Sequence, residues 1–173
     1  MIYQIKHAPL NDPLYRPLLA FRDIKRAEVA EGIKNITYIL MYGATPTRVN
    51  TKVRDRYGIL RPVQCALCRN KGESESHLFF ECEILQTALS KVKNFIEVKD
   101  QNTLKRAIFT HDFPRRDDPA KNEIKSEILL IYRWTAWRAR KRAIYDGVRY
   151  TRETLLKSFV DRVRRHAQSL KPD

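Results

Sequence analysis

The residues of this sequence that could do chemistry fall mostly in one stretch, QCALCRNKGESESHLFFEC, which holds all three cysteines within 18 residues. Cys65 and Cys68 form a C-x2-C pair, His77 follows after eight residues, and Cys82 after four more. A C-x2-C separation lets one tight turn aim two thiolates at a single ion, and a histidine and a cysteine five residues apart can do the same from one end of a helix. Four such ligands with none to spare predict a closed, tetrahedral Cys3His site for one structural Zn2+, made of Cys65, Cys68, His77 and Cys82. Two plainer readings compete with it. A redox C-x2-C belongs after the strand of a βαβ unit, which the pattern here does not suggest, and buried structural thiols need no metal at all. The grouping of every cysteine at ligand spacing favours the metal. With all three cysteines taken up as ligands, a reducing intracellular compartment, nuclear or cytoplasmic, is expected.

The elements that must position these ligands read as helices. PLLAFRDIKRAEVAEGI (residues 17–33) has helix formers throughout, with Leu18, Phe21 and Ile24 at helical spacing. NITYILMY (35–42) is apolar and short enough to be a buried helix or a strand. Gly43 to Pro46 break the chain, and Thr47 is placed to cap a helix through Tyr57 that Gly58 ends. Lys71-Gly72-Glu73 supplies a polar turn between the ligand pairs, and Ser76 is a candidate cap for a helix opening at His77. Leu85, Leu89, Val92 and Ile96 form an amphipathic stripe, and Asn102 or Thr103 can cap a short helix through Ile108. HDFPRRDDPAK reads as a loop. Lys121 to Tyr145 then reads as one long helix with Leu130, Trp134, Trp137, Lys141 and Ile144 along its apolar stripe, ended by Asp146-Gly147. A last helix starts near Thr151. The expected class is mainly α: a small helical domain organised around the Cys3His site, with basic C-terminal helices. The expected division is an N-terminal extension (1–32), a zinc-binding module (33–112) and a basic segment (113–173), packed together.

The ligand pattern, with its Gly/Glu spacer and H-L-F-F-x-C ending, resembles the C-terminal zinc-binding domain of non-LTR (LINE-type) retrotransposon reverse transcriptases. MYGATPTRVNTKVRDRYGI before the first cysteine, Glu75 two residues ahead of the histidine, and IYRWTAWRARKRAIYDG after the finger are similar to segments of that family. The resemblance covers roughly residues 33–147, and its ligand motif is the specific part. It implies an accessory domain that helps a polymerase hold template RNA or target DNA, either standing alone or as part of a longer protein. The polymerase's aromatic-x-Asp-Asp hairpin is not matched, because Asp117-Asp118 sits in a proline-flanked charged loop.

Charge points the same way. The 173 residues carry 34 Lys plus Arg against 20 Asp plus Glu, a formal net charge of +14. Such an excess favours a polyanionic partner. From Arg133 onward there are 12 basic residues against four acidic ones. Arg138, Arg140, Lys141, Arg142, Arg149, Arg162 and Arg165 are the candidate nucleic-acid contacts, with Arg48, Lys52 and Arg56 as a smaller cluster before the finger. The interleaved Trp134, Trp137, Tyr145 and Tyr150 could stack on bases, although the spacing of the tryptophans fits core better. RNA, DNA or both are therefore the expected partners, and the alternative is a protein-interaction module for an acidic protein. His7, His111 and His166 stand without a phosphate loop or nucleophile elbow, so no catalytic residue and no enzymatic activity are expected. No apolar run reaches the ~20 residues of a membrane span, so no membrane association is expected.

Overall fold

The computed structural model describes residues 15–47 and 64–170. Among these residues six α-helices follow one another: α1 (Tyr15–Arg26), α2 (Glu31–Met41), α3 (Gln86–Phe95), α4 (Gln101–Thr110), α5 (Pro119–Tyr145) and α6 (Arg152–Ser169), with a π-helical turn at His77–Glu81 before α3. Among the described residues there is no strand, only an isolated antiparallel bridge between Gln64 and Gly72. The molecule is a small, mainly helical domain with a Cys3His cluster. The helix placed by sequence after Thr47, with its basic residues Arg48, Lys52 and Arg56, lies outside the described residues.

One buried apolar cluster runs from Ile24 through Leu40, Leu78, Phe79 and Leu89 to Leu129, Leu155 and Phe159. Helix α5 is its axis. The single apolar stripe expected for α5 is not what forms: Ile128 to Arg133 are buried without interruption, while Trp134 and Trp137 are half-buried and Lys141 is exposed. A helix covered on several sides buries all its faces, and α1, α2, α3 and α6 all pack on this one.

The helix expected over residues 17–33 is two helices. Ala27 to Ala30 leave the helical path although no proline or glycine lies among them. Tertiary contacts hold the break: Glu28 N–H donates to Glu127 Oε1 of α5 (3.0 Å), and Lys34 Nζ donates to the Lys25 carbonyl at the end of α1 (3.1 Å). These contacts satisfy backbone groups that an unbroken helix would have paired internally. The apolar segment 35–42 is helical, and it ends at Gly43 with φ +60°, a left-handed conformation that glycine adopts without steric cost.

Three caps differ from or refine the sequence reading. Asp100, not Asn102 or Thr103, caps α4 by accepting from Thr103 N–H at 2.8 Å. Asp118 caps α5 with Pro119 as its first residue, so this charged loop ends in a helix start. Thr151 caps α6 reciprocally with Thr154, in the expected place.

The C-terminus of α4 is closed by a side chain from the core. Arg133 is fully buried and donates from Nε to the Ile108 carbonyl (2.7 Å) and from Nη2 to the Ala107 carbonyl (2.6 Å), two acceptors left open at the helix end. Its Nη1 donates to His111 Nδ1 (2.9 Å), which leaves His111 Nε2–H to donate to Ser126 Oγ (2.8 Å). Burial lowers the Arg133 pKa to about 9. His111 is held neutral well below the ordinary histidine range, first by burial and then by Arg133 and Arg115. Protonating it needs a proton that the unfolded chain takes up more readily. Stability is therefore fully present above the ordinary histidine pKa near 6.5 and falls as the pH drops below it, by up to about 1.4 kcal/mol per pH unit. Replacing His111 by Asn, which tolerates the left-handed φ of +59° there, should flatten this acid limb in denaturant titrations between pH 7 and pH 5.

Candidate metal centre and the basic face

The four predicted ligands converge. The ligand atoms of Cys65, Cys68, His77 and Cys82 all lie within 4.8 Å of one another, and all but Cys68 are buried. The Cys65 and Cys82 sulfurs are 3.9 Å apart, too far for a disulfide, and Cys68 Sγ is 3.3 Å from His77 Nε2. Ligands tetrahedrally arranged around one ion at ordinary Zn–S and Zn–N lengths stand roughly 3.5–3.8 Å apart, so the spacing and donor set fit a metal ion.

Local backbone explains the convergence. Cys65 enters on the bridge to Gly72, with its N–H donating to the Lys71 carbonyl at 2.7 Å, and Arg69 N–H returns to the Cys65 carbonyl at 3.0 Å. Arg69 takes a left-handed φ of +62° to close this turn. On the second arm, residues five apart on an α-helix would point about 140° away from each other. The turn winds as a π-helix instead, with Cys82 N–H on the His77 carbonyl at 2.7 Å, and this brings both side chains to one side. Ser76, expected as the cap, makes no capping bond. Ser74 does so, its Oγ accepting from His77 N–H at 3.0 Å. His77 Nε2 is the nitrogen beside Cys68 and on that ground the candidate ligand atom; Nδ1 is buried with no hydrogen-bond partner among the described residues.

The Cys65 thiol is lowered below the ordinary thiol range, chiefly by the Cys82 sulfur and further by the backbone of Cys68 and Leu67 in the turn, against the opposing effect of burial. Cys82 is raised by the Cys65 contact and by burial. A thiolate is the form that binds metal.

Two residues that the motif does not reveal hold this loop to the core. Glu73, fully buried between the ligand pairs, accepts from Ala66 N–H (2.9 Å) and from Arg140 Nε (2.8 Å). Tyr132 on α5 donates its hydroxyl hydrogen to the Phe79 carbonyl within the π turn (2.8 Å). Glu75 adds a third tie by accepting from Thr45 N–H at 2.9 Å.

Arg140 corrects the sequence reading. It is 6% exposed, paired with Glu73, bonded through Nη2 to the Pro46 carbonyl (2.9 Å) and stacked over Trp137 (4.8 Å to the ring centre). It is an internal strut with no guanidinium face left for a phosphate. Arg133, counted in the same basic run, is also internal. The remaining candidates divide by position. Arg138, Lys141, Arg142, Arg149 and Arg165 are exposed, and Arg162 is half-buried. Arg138 and Arg142 on α5 and Arg162 and Arg165 on α6 line one recess of about 420 Å³ between the two helices, with no acidic side chain among the described residues of its wall. Lys141 and Arg149 stand outside it. Two polar groups, Asp146 near Arg142 (3.6 Å) and Asp161 near Arg164 (3.4 Å), form exposed ion pairs on the same helices. No described helix is long and apolar enough to cross a membrane.

No protein-family model matches this chain, and comparison with curated proteins and with solved structures returns no match. The fold and site by themselves define a small helical domain with a Cys3His centre that could hold a metal ion.

Two outcomes are expected. Cys65→Ser or Cys82→Ser should abolish stoichiometric metal binding and lower thermal stability, and one metal per chain retained in either variant, measured by elemental analysis, would contradict the ligand assignment. Arg140→Met should remove the guanidinium that pairs with buried Glu73 and cost up to about 3–5 kcal/mol of unfolding free energy, whereas a mere phosphate contact would cost little in the free protein.

Proposed function

We propose that the protein is a zinc-ordered, non-catalytic nucleic-acid-binding module that contacts RNA or DNA through helices α5 and α6. The observation that carries this reading is the recess between them, walled by four arginines with no carboxylate among the described lining residues. Solvated arginine faces normally mix with acidic residues, and phosphate is the commonest partner of clustered guanidinium groups. The resemblance of the ligand motif to the zinc-binding domain of non-LTR retrotransposon reverse transcriptases supports the same reading.

Zn2+ is the metal that three thiolates and an imidazole suit best. Cys65, Cys68, His77 and Cys82 would hold it and fill all four positions, so the ion would serve folding by cross-linking the two arms of the loop. The chain's own residues do the rest. Glu73 and Tyr132 tie the loop to α5, and α5 presents Arg138 and Arg142 toward α6.

Binding of this kind is dominated by phosphate contacts and weakly sequence-specific. With about four phosphates neutralised, log Kobs for a single-stranded oligonucleotide should fall with log[salt] at a slope of about −3, and Arg138→Gln should reduce that slope by nearly one. Fluorescence anisotropy with RNA and DNA of mixed sequence checks both. Absence of binding to either at ~0.15 M salt would favour instead a module that recognises an acidic protein.

A further inference from the structure

The α5–α6 recess has a floor as well as walls, and the floor is unusual. Arg162 is only half-exposed, and its Nε is buried with no hydrogen-bond partner among the described residues. An N–H donor of a charged group left unpaired in a structure this well bonded calls for an acceptor, and none of the lining residues is acidic. Arg138, Arg142 and Arg165 surround it, with Tyr150 and Ser158 contributing hydroxyls. The Arg162 pKa is lowered, first by burial and then by repulsion from Arg138 and Arg165, so like charges are held against one another around a concave space. Two carboxylates on or beside these helices, Asp146 at 3.6 Å from Arg142 and Asp161 at 3.4 Å from Arg164, lie outside the lining.

A bound anion would neutralise that repulsion and fill the open donor together. The charge it should bring is set by the site. Four guanidiniums line the recess with no carboxylate among the described lining residues, and a phosphodiester within a strand offers a single charge and two free oxygens. A phosphate monoester carries about −1.5 to −2 and three acceptor oxygens. A buried, unpartnered donor in the lining also suits the additional oxygen of a strand end better than a continuous backbone. Tyr150, half-buried beside Arg162, supplies an aromatic ring on which a terminal base could stack.

We propose that the recess between α5 and α6 binds the terminal phosphate monoester of a nucleic-acid strand, with Arg162 as the residue at its base and Arg138, Arg142 and Arg165 as the clamp. This rests on the nucleic-acid reading above and makes it specific: the strand end is the feature recognised, and the exposed cations beyond the recess follow the adjoining backbone.

The test compares single-stranded oligonucleotides of one sequence bearing a 5′-hydroxyl, a 5′-phosphate or a 3′-phosphate, titrated by anisotropy into the full, zinc-loaded chain at fixed salt. One phosphorylated end should bind about tenfold more tightly than the hydroxyl form, the effect of two or so added charge-assisted hydrogen bonds. Arg162→Gln should bring that ratio close to one. Arg165→Gln, at an exposed position where folding is not at risk, should reduce it as well. Arg164→Gln, adjacent in sequence but outside the recess, should leave it intact. Equal affinity for all three strand ends would overturn the end-phosphate proposal while leaving nucleic-acid binding standing. Failure of all three oligonucleotides to bind would overturn both. A phosphate preference that survives Arg162→Gln and Arg165→Gln would place the end site elsewhere and overturn the assignment to this recess.

Discussion

The ion pair between Glu73 and Arg140 is the joint on which the arrangement turns. Glu73 belongs to the loop that carries the four ligands, and Arg140 belongs to the helix that carries the basic face. Both side chains are buried, at 0% and 7% exposure, and neither could stand there alone, because an unpaired charge removed from water is far more costly than the pair. Each is also fully engaged elsewhere: Glu73 with Ala66 N–H, Arg140 with the Pro46 carbonyl and the face of Trp137. Three chain segments distant in sequence, around residues 46, 73 and 140, meet at this point. A buried apolar contact could have supplied similar cohesion. Two directional groups with matched donors and acceptors also fix how far the loop may slide along the helix and how the helix is turned.

The same device recurs along α5, where burial on several sides obliges each polar side chain to find a partner. Tyr132 reaches a carbonyl of the π turn, Arg133 closes the end of α4, Glu127 holds the break between α1 and α2, and Lys125 pairs with Glu97 at 2.7 Å. In each case the partner is a place where regular backbone pairing fails: a π turn, a helix end, an interruption, a residue with φ of +60°. The central helix therefore acts as a set of splints for irregular structure. Tyr132 is held far above its usual range by burial, which keeps its hydroxyl a donor under all ordinary conditions. The Cys3His cluster lies within its own loop; this network is what makes the loop part of the domain.

This division explains how much could be read from the sequence. The clustering of Cys65, Cys68, His77 and Cys82 was legible because it is local: C-x2-C and a histidine–cysteine pair carry their geometry in their spacing. Helix content, the Thr151 cap and the stops at Gly43 and Gly147 were legible for the same reason. The interruption at Ala27–Ala30 was not, since nothing in AEVA breaks a helix and the cause lies about a hundred residues away in Glu127. The π winding at His77–Glu81 was equally hidden, although a five-residue ligand spacing is awkward on an α-helix and hints at it. Arg140 was misplaced for a more general reason. In a run such as RWTAWRARKR every arginine looks alike by composition, and only burial against Glu73 separates the strut from its neighbours.

Helical geometry turns that misplacement into an argument about how the two halves of the molecule communicate. Arg138 and Arg142 are four residues apart and share a face of α5, whereas Arg140, two residues from each, points about 160° away from them. Fixing Arg140 against Glu73 therefore sets the rotation of α5 about its own axis, and that rotation aims Arg138 and Arg142 at α6, where Arg162 and Arg165 complete the recess. Loss of the ligand loop would free Arg140, and the guanidinium groups on the opposite face would lose their common direction without any of them having touched the loop. The centre and the basic face lie on opposite sides of one helix, and a rigid helix is a sufficient link between them. If the recess binds nucleic acid as proposed, the cysteine cluster would bear on that binding through orientation alone, with no contact between the cluster and the nucleic acid required.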